Sequence, residues 1–427
     1  MAHLRDASTR PGPQLAPAAR IVLYSHDTMG LGHVRRNLAI AGGVAEADFH
    51  ASTLLVCGAR EAGALAMPRG VDCITLPGLR KELDGQYDAR SLDVSLRDLI
   101  DLRARTIDSV LASFRPDVLI VDNVPRGACG ELERSLVRLR REGRTRCVLG
   151  LRDVLDDAAS VRKEWAARGN RSAIAAWYDA VWIYGDPTLL DPVVEYDLGP
   201  EVAAKAHYVG YLDRTRPEQP AQTHVPEGPF VLCLVGGGQD GFEVAEAFAH
   251  ARMPDGLQRV LVTGPFMPLE QRRALEQLAA TDPSLIVHTF IDEPTALLAR
   301  AEAVVCMGGY NTVNEVLSYS TPALVVPRVA PRLEQLVRAT RLRDLGLVDL
   351  LLPTDLTPRA ITSWLAGRHS RRRSSHRLDL DGLRRIPQLL RDLLTPPVIV
   401  PVPLGVPVPM PVTPSVSVSR SALNVSC

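Results

Sequence analysis

The chain has 427 residues, 46% of them hydrophobic and 23% charged, and its 49 basic side chains are balanced by 49 acidic ones. That length holds more than one ordinary core, and the charge balance leaves no net field to attract nucleic acid. Seven scattered cysteines (Cys57, Cys73, Cys129, Cys147, Cys233, Cys306 and Cys427) form no Cys-x-x-Cys pair. They read as reduced, buried thiols of a cytoplasmic chain, which excludes a disulfide framework or a zinc site.

The first 19 residues carry charge and proline where a secretion signal needs a continuous apolar core, so a disordered extension is expected there. From Arg20 on, short apolar runs alternate with helix-length spacers: "RIVLYSH", "STLLVCG", "DCITLPG", "PDVLIVDN", "RCVLGLRD" and "AVWIYGD". Runs apolar on both faces predict a parallel sheet covered by helices on both sides, over residues 20–212. The stretch "YSHDTMGLGHVRRNLAIA" follows the first run and sets Gly30, Gly32 and His33 between a strand and a helix. Alone it reads equally as a phosphate-binding turn that carries a reactive histidine or as a generic turn whose histidine is a bystander. Asp27, Asp122 with Asn123, and Arg152 with Asp153 stand at further strand ends. Each carboxylate there is either a general base or a helix cap. "WIYGDP" reads as a turn.

A polar, proline-containing break at residues 213–228 reads as a linker, after which the alternation resumes with "FVLCLVGGG", "RVLVTGP", "LIVHTF", "EAVVCMGG" and "PALVVPR". This predicts a second doubly wound domain over 229–394, facing the first across a cleft where strand ends gather the glycines. Gly236, Gly237 and Gly238 precede a helix expected near Phe242, an arrangement that suits a diphosphate or is only a tight turn. Gly308 and Gly309 precede a helix opened by Tyr310, Asn311 and Thr312. Glu315 lies within it, free to accept ribose hydroxyls or else closing a capping box with Thr312. Arg328, Arg332, Glu334 and Gln335 crowd the next helix start, as diphosphate and sugar ligands or as a charged first turn. "RHSRRRSSHR" at 368–377 is a solvated basic loop, with contact to an anionic lipid surface as the alternative. The Pro/Val-rich segment 395–427 is a disordered tail. No apolar segment is long enough to span a bilayer.

The ordered set strand-"GGG"-helix, "HTFIDEPTALLARAEAVVCMGGYNTVNEVLSYSTPALVVPR" and "EQLVRATRL" resembles the donor-binding domain of MurG-type glycosyltransferases, family 28, over Phe230 to Leu352. The resemblance implies an α/β architecture of the GT-B kind and a UDP-sugar donor carrying a hexose or N-acetylhexosamine. Phe290 and Ile291 would lie along the base, Gly308 to Thr312 would meet phosphate, Glu315 would take the ribose, and Glu334 with Gln335 the sugar. It further implies inverting single displacement onto a hydroxyl of a glycan, lipid or small molecule. His33, Asp122 or Asp153 would be the base, with no metal and no cofactor beyond the donor. The first domain departs from the family pattern: Leu31 replaces a glycine, and the proline usual after the histidine is absent. "GLGHVRR" is also similar to the G-x-G-H-x-x-R stretch of nucleotide-sugar hydrolases of the same architecture, in which the histidine activates water. With the diphosphate assigned to the second domain, Gly30 and Gly32 serve to bring backbone and His33 to the reacting centre. A hydrolase or epimerase, and a non-catalytic sugar-nucleotide binding subunit, are the competing expectations. A dinucleotide oxidoreductase is set aside because "GLGHVRR" lacks the third glycine of G-x-G-x-x-G. The expected location is the cytoplasm or the inner membrane face.

Overall fold

The computed structural model describes residues 18–27, 31–47, 49–81, 87–213, 225–254, 256–291, 294–367 and 376–395. Gly30, the N-terminal extension to residue 17, linker residues 214–224, basic residues 368–375 and the tail from residue 396, with Cys427, lie outside the described residues.

The chain alternates as expected. The first half runs β1 (Ala19–Ser25), α1 (Gly32–Glu46), β2 (Ala51–Cys57), β3 (Val71–Thr75), β4 (Leu79–Lys81), β5 (Tyr87–Ala89), α2 (Leu96–Phe114), β6 (Val118–Asp122) and α3 (Glu133–Glu142). It continues through β7 (Arg146–Arg152), α4 (Ala158–Arg168), α5 (Asn170–Trp177), β8 (Ala180–Tyr184), α6 (Pro192–Glu195), α7 (Pro200–Ala203) and β9 (Ala206–Tyr208). The second half runs β10 (Phe230–Leu234), α8 (Phe242–Ala249), β11 (Gln258–Val262), α9 (Leu269–Thr281), β12 (Leu285–His288), α10 (Thr295–Arg300), β13 (Ala303–Cys306) and α11 (Tyr310–Tyr319). It closes with β14 (Ala323–Val325), α12 (Glu334–Asp344), β15 (Asp349–Leu350), α13 (Pro358–Gly367) and α14 (Gly382–Leu394).

Two parallel sheets result, of order β3-β2-β1-β6-β7-β8-β9 and β12-β11-β10-β13-β14-β15, with β4 and β5 forming a separate antiparallel pair. β6, β8, β10 and β13 are buried at every residue, as strands covered on both faces must be. In each sheet the strand order reverses once, between β1 and β6 and between β10 and β13. Such switch points open a crevice beyond the carboxyl ends of the strands, where ligands of open α/β sheets bind.

The last helix corrects the expected partition. α14 ends the segment assigned to the second domain, yet it packs on the first. A Cβ on Gly43 of α1 would lie 3.1 Å from the Leu383 carbonyl oxygen, the Gly382 N–H donates to the Tyr211 carbonyl at 3.0 Å, and Arg391 stacks on Phe49. The amphipathic pattern of α14 calls for an apolar neighbour, and the exposed flank of α1 supplies it. One apolar cluster accordingly runs from Ile21 and Leu23 through Tyr211 and Tyr310 to Leu232 and Val304, across both sheets. No helix among the described residues is long and apolar enough to cross a membrane.

Four cysteines (Cys57, Cys147, Cys233 and Cys306) are buried in strands, but Cys73 is half-buried and Cys129 exposed, which corrects the expectation of uniformly buried thiols. Cys129 sits in a left-handed turn (φ 50°) between β6 and α3, outside any apolar run.

Candidate active site

At the first switch point, α1 is seated by a short polar device. Asp27, itself left-handed (φ 40°), accepts from the Val34 N–H in the first turn of α1 at 3.1 Å and from the Gly58 N–H at 3.2 Å. Its other contact is the Ser25 hydroxyl, at 2.5 Å. Asp27 is thus the cap of the two options its position allowed. A Cβ at Gly58 would stand 2.1 Å from the His26 carbonyl oxygen, so only glycine closes this corner.

His33, in the first turn of α1, lines the cleft with about a fifth of its side chain exposed. Its Nδ1 lies 2.5 Å from Asp122 Oδ2 at the end of β6, and Asp122 is buried. Arg36, one helical turn beyond His33 and on the same face, grips Asp122 through Nε at 3.0 Å and Nη2 at 2.6 Å. Burial alone would raise the Asp122 carboxyl, but Arg36 and then His33 hold it well below the usual carboxylate range. An ionised carboxylate at Nδ1 favours the tautomer protonated there and leaves Nε2 as the nitrogen that Asp122 does not hold. His26 stands beside this pair, its ring 4.9 Å from that of His33.

Asp153 does not share the cleft. It is fully buried, bonded to the Tyr211 hydroxyl and the Val154 N–H, and 3.5 Å from Arg338. With its oxygens engaged and no surface on the cleft, it holds the two halves together and cannot serve as the base.

At the second switch point, Gly236 and Gly237 line the cleft, whereas Gly238 does not. A Cβ on Gly238 would stand 2.1 Å from the Thr263 carbonyl oxygen, so its glycine serves the turn itself. Gly308 (φ 81°) likewise faces inward, its carbonyl accepting from Arg338 Nη1 at 3.2 Å. Gly309 caps α11 in extended conformation, and a Cβ there would meet nothing within 4 Å. That open approach at a helix N-terminus, continued by Asn311 and Thr312 on the cleft wall, is where an anion can reach backbone N–H groups. Because the cap is Gly309, Thr312 lies inside the helix and the capping box with Glu315 does not form. Glu315 is buried and lines the cleft from the second turn.

The arginines divide between charge and scaffold. Arg328 Nη1 reaches Asp240 of the glycine-rich turn at 2.9 Å, and its backbone N–H donates to Gln335 Oε1 at 3.0 Å. Glu334 pairs with Arg152 at 2.6 Å and Arg328 at 3.5 Å. Burial would raise the Glu334 carboxyl, but Arg152, Arg338 and Arg328 together lower it. Glu334 and Gln335 therefore meet the cleft already bonded to arginine. Arg332 reaches Glu164 at 3.2 Å, and Asp156 Oδ1 accepts from the Leu333 N–H at 2.7 Å, tying the start of α12 to the first half. Phe290, half-exposed, and Ile291, buried, line the same cleft.

The two switch points touch. Asn311 Nδ2 donates to the Gly32 carbonyl at 3.0 Å, and the Tyr310 ring centroid is 5.3 Å from the Arg36 guanidinium and 5.7 Å from that of Arg338. The cleft between them has a volume of about 410 Å3. Arg338 and Asp156 escaped the sequence reading, while Tyr310 was read there only as a helix opener near phosphate and Arg36 only as the last residue of "GLGHVRR". The i+3 spacing of Arg36 from His33 could have tied the two; Arg338 and Asp156 depend on contacts across the halves.

Residues 232–370 match the glycosyltransferase family 28 C-terminal domain. The chain is 30% identical over 174 residues to the UDP-N-acetylglucosamine–N-acetylmuramyl-(pentapeptide) pyrophosphoryl-undecaprenol N-acetylglucosamine transferase of Cronobacter sakazakii, covering 39% of this chain and 48% of that protein. It is 29% identical to the enzyme of the same name from Mycobacterium tuberculosis, over 37% of this chain and 39% of that one. The chain thus spans less than half the length of these curated relatives. Among solved structures, Acinetobacter baumannii MurG superposes with a TM-score of 0.55 at 15% identity, covering 88% of this chain and 100% of that one. The calicheamicin glycosyltransferase CalG4 gives 0.52 at 18%, covering 88% and 94%. The GT-B fold and the resemblance of the second half to MurG-type proteins are borne out.

Proposed function

We propose that this chain transfers a sugar from a UDP-sugar to the hydroxyl of an acceptor, with inversion and without a metal. The observation that carries the reading is the His33–Asp122–Arg36 constellation at one switch point, opposite the open Gly309 N-terminus of α11 at the other, within a segment matched to a family 28 donor domain. His33 Nε2 takes the proton of the acceptor hydroxyl as its oxygen bonds to the anomeric carbon, and the bond from that carbon to the UDP oxygen breaks. The charge left on the diphosphate falls on the first N–H groups of α11 and on Arg328, which Asp240 and Gln335 hold in place. Glu315 takes the ribose hydroxyls, Phe290 and Ile291 the base. Glu334, bonded to Arg152 and Arg328, sets guanidinium groups beside the donor and offers the sugar only its remaining acceptor capacity.

Purified protein, a panel of nucleotide sugars and an assay of released UDP test this, with and without cell extract as acceptor source. UDP released only with extract, undiminished by EDTA, is the expected result. Release at the same rate without extract establishes the second reading, hydrolysis, which the His33–Asp122 pair favours because it can deprotonate water equally well. Tight UDP binding with no release under either condition leaves a binding subunit.

A further inference from the structure

The residues proposed for the donor and the base line only part of the cleft. From His33 the first sheet continues through the adjacent ends of β6 and β7, and the wall there changes character. Val124 and Pro125 follow β6, Leu155 follows β7, and Val161 and Trp165 face the same space from α4. Leu155, Val161 and Trp165 are each more than nine-tenths buried, so this wall is an apolar recess and not a solvated surface. The charges at its rim are mutually engaged: Glu164 pairs with Arg168 at 3.1 Å and with Arg332 at 3.2 Å. One polar atom stands at the junction between dyad and recess. Asn123, next to Asp122 and left-handed (φ 66°), lines the cleft with its side-chain oxygen buried and without a hydrogen-bond partner among the described residues.

We propose that this recess is the acceptor subsite and that the acceptor is a hydroxylated apolar molecule, a ring system or lipid-like body, rather than a saccharide. A saccharide exposes hydroxyls around its ring and would leave most of them unpaired against Val124, Pro125, Leu155, Val161 and Trp165. An apolar body with one hydroxyl buries its surface there and presents that hydroxyl to His33, with the unpartnered Asn123 oxygen as its polar anchor and Tyr87, Arg168 and Asn170 lining the same cleft. The inference rests on the transferase reading for the word acceptor; the chemistry of the recess stands without it.

The test is titration calorimetry on the full chain, with 4-methylumbelliferone as the apolar hydroxyl probe, di-N-acetylchitobiose as the saccharide probe, and UDP. The expected result is one saturable site for 4-methylumbelliferone that persists in saturating UDP, with chitobiose at least about tenfold weaker. Trp165→Ala and the gentler Val161→Thr both weaken the apolar probe, the former about tenfold or more, while UDP affinity stays within about twofold. Displacement of the probe by UDP, equal affinity for chitobiose, or unchanged probe affinity in both variants overturns the proposal. Probe binding lost in the variants of a protein that never binds UDP supports the recess and sinks the donor reading instead.

Discussion

An imidazole is a useful base only when one nitrogen is committed and the other is presented to the substrate, and Asp122 makes that commitment for His33. Arg36 keeps Asp122 ionised despite burial. Asp122→Asn keeps the shape and removes the charge, so turnover is expected to fall about 100-fold or more while UDP affinity changes by less than about twofold; kcat beside calorimetric UDP binding checks this. An unchanged kcat would remove the pair from the chemistry. The thiols give a second test at this scale. Burial pushes Cys57, Cys147 and Cys306 up to about 12 and Cys233 well above its ordinary value, so none offers thiolate near neutral pH. Mass spectrometry after iodoacetamide treatment of native protein at pH 8 should find, among the described residues, label on Cys129 before Cys73, and on those four only after unfolding.

Helices α1 and α11 start at different switch points yet meet end to end. A helix N-terminus has N–H groups without partners, and here both termini line one cleft and are joined by Asn311. The buried Tyr310 ring has two guanidinium groups within cation–π reach of its centroid, Arg36 and Arg338. Tyr310→Ala should therefore cost about 3–5 kcal/mol of stability by urea unfolding, and Tyr310→Phe about 1 kcal/mol or less. Equal losses for both would place the effect in the hydroxyl instead. Asp156 plays the corresponding part for α12, accepting its first free N–H from across the halves. Asp156→Ala is expected to cost about 1–2 kcal/mol in the same measurement.

At the scale of the whole molecule, buried ion pairs within the first half, at Asp122, and between the halves, at Glu334 with Arg152, shape the response to acid. The carboxyls of Asp122 and Glu334 titrate lower in the folded chain than in the unfolded one. Their contribution is thus fully present above the unfolded values, about 4, and is lost as pH falls through the lowered folded values. The urea midpoint should stay level from neutral pH to about pH 5 and fall below about pH 4. Asp122→Asn should flatten that fall; a parallel fall in the variant would assign it to other groups. Much of this architecture was legible in the chain. Apolar runs broken by glycine specify two parallel sheets, because period and length of burial are local properties, and the glycine clusters mark strand ends for the same reason. Gly236, Gly237 and Gly309 were read that way and line the cleft, as does Glu315, which the family resemblance singled out. What only the tertiary structure decided is which of several equivalent carboxylates does what. Asp27, Asp122 and Asp153 all sit at strand ends, yet one caps α1, one holds His33 and one is sealed against Tyr211 and Arg338. The difference lies in partners 58 to 185 residues away or in a sheet order that puts β1 beside β6, and sequence spacing carries no record of either.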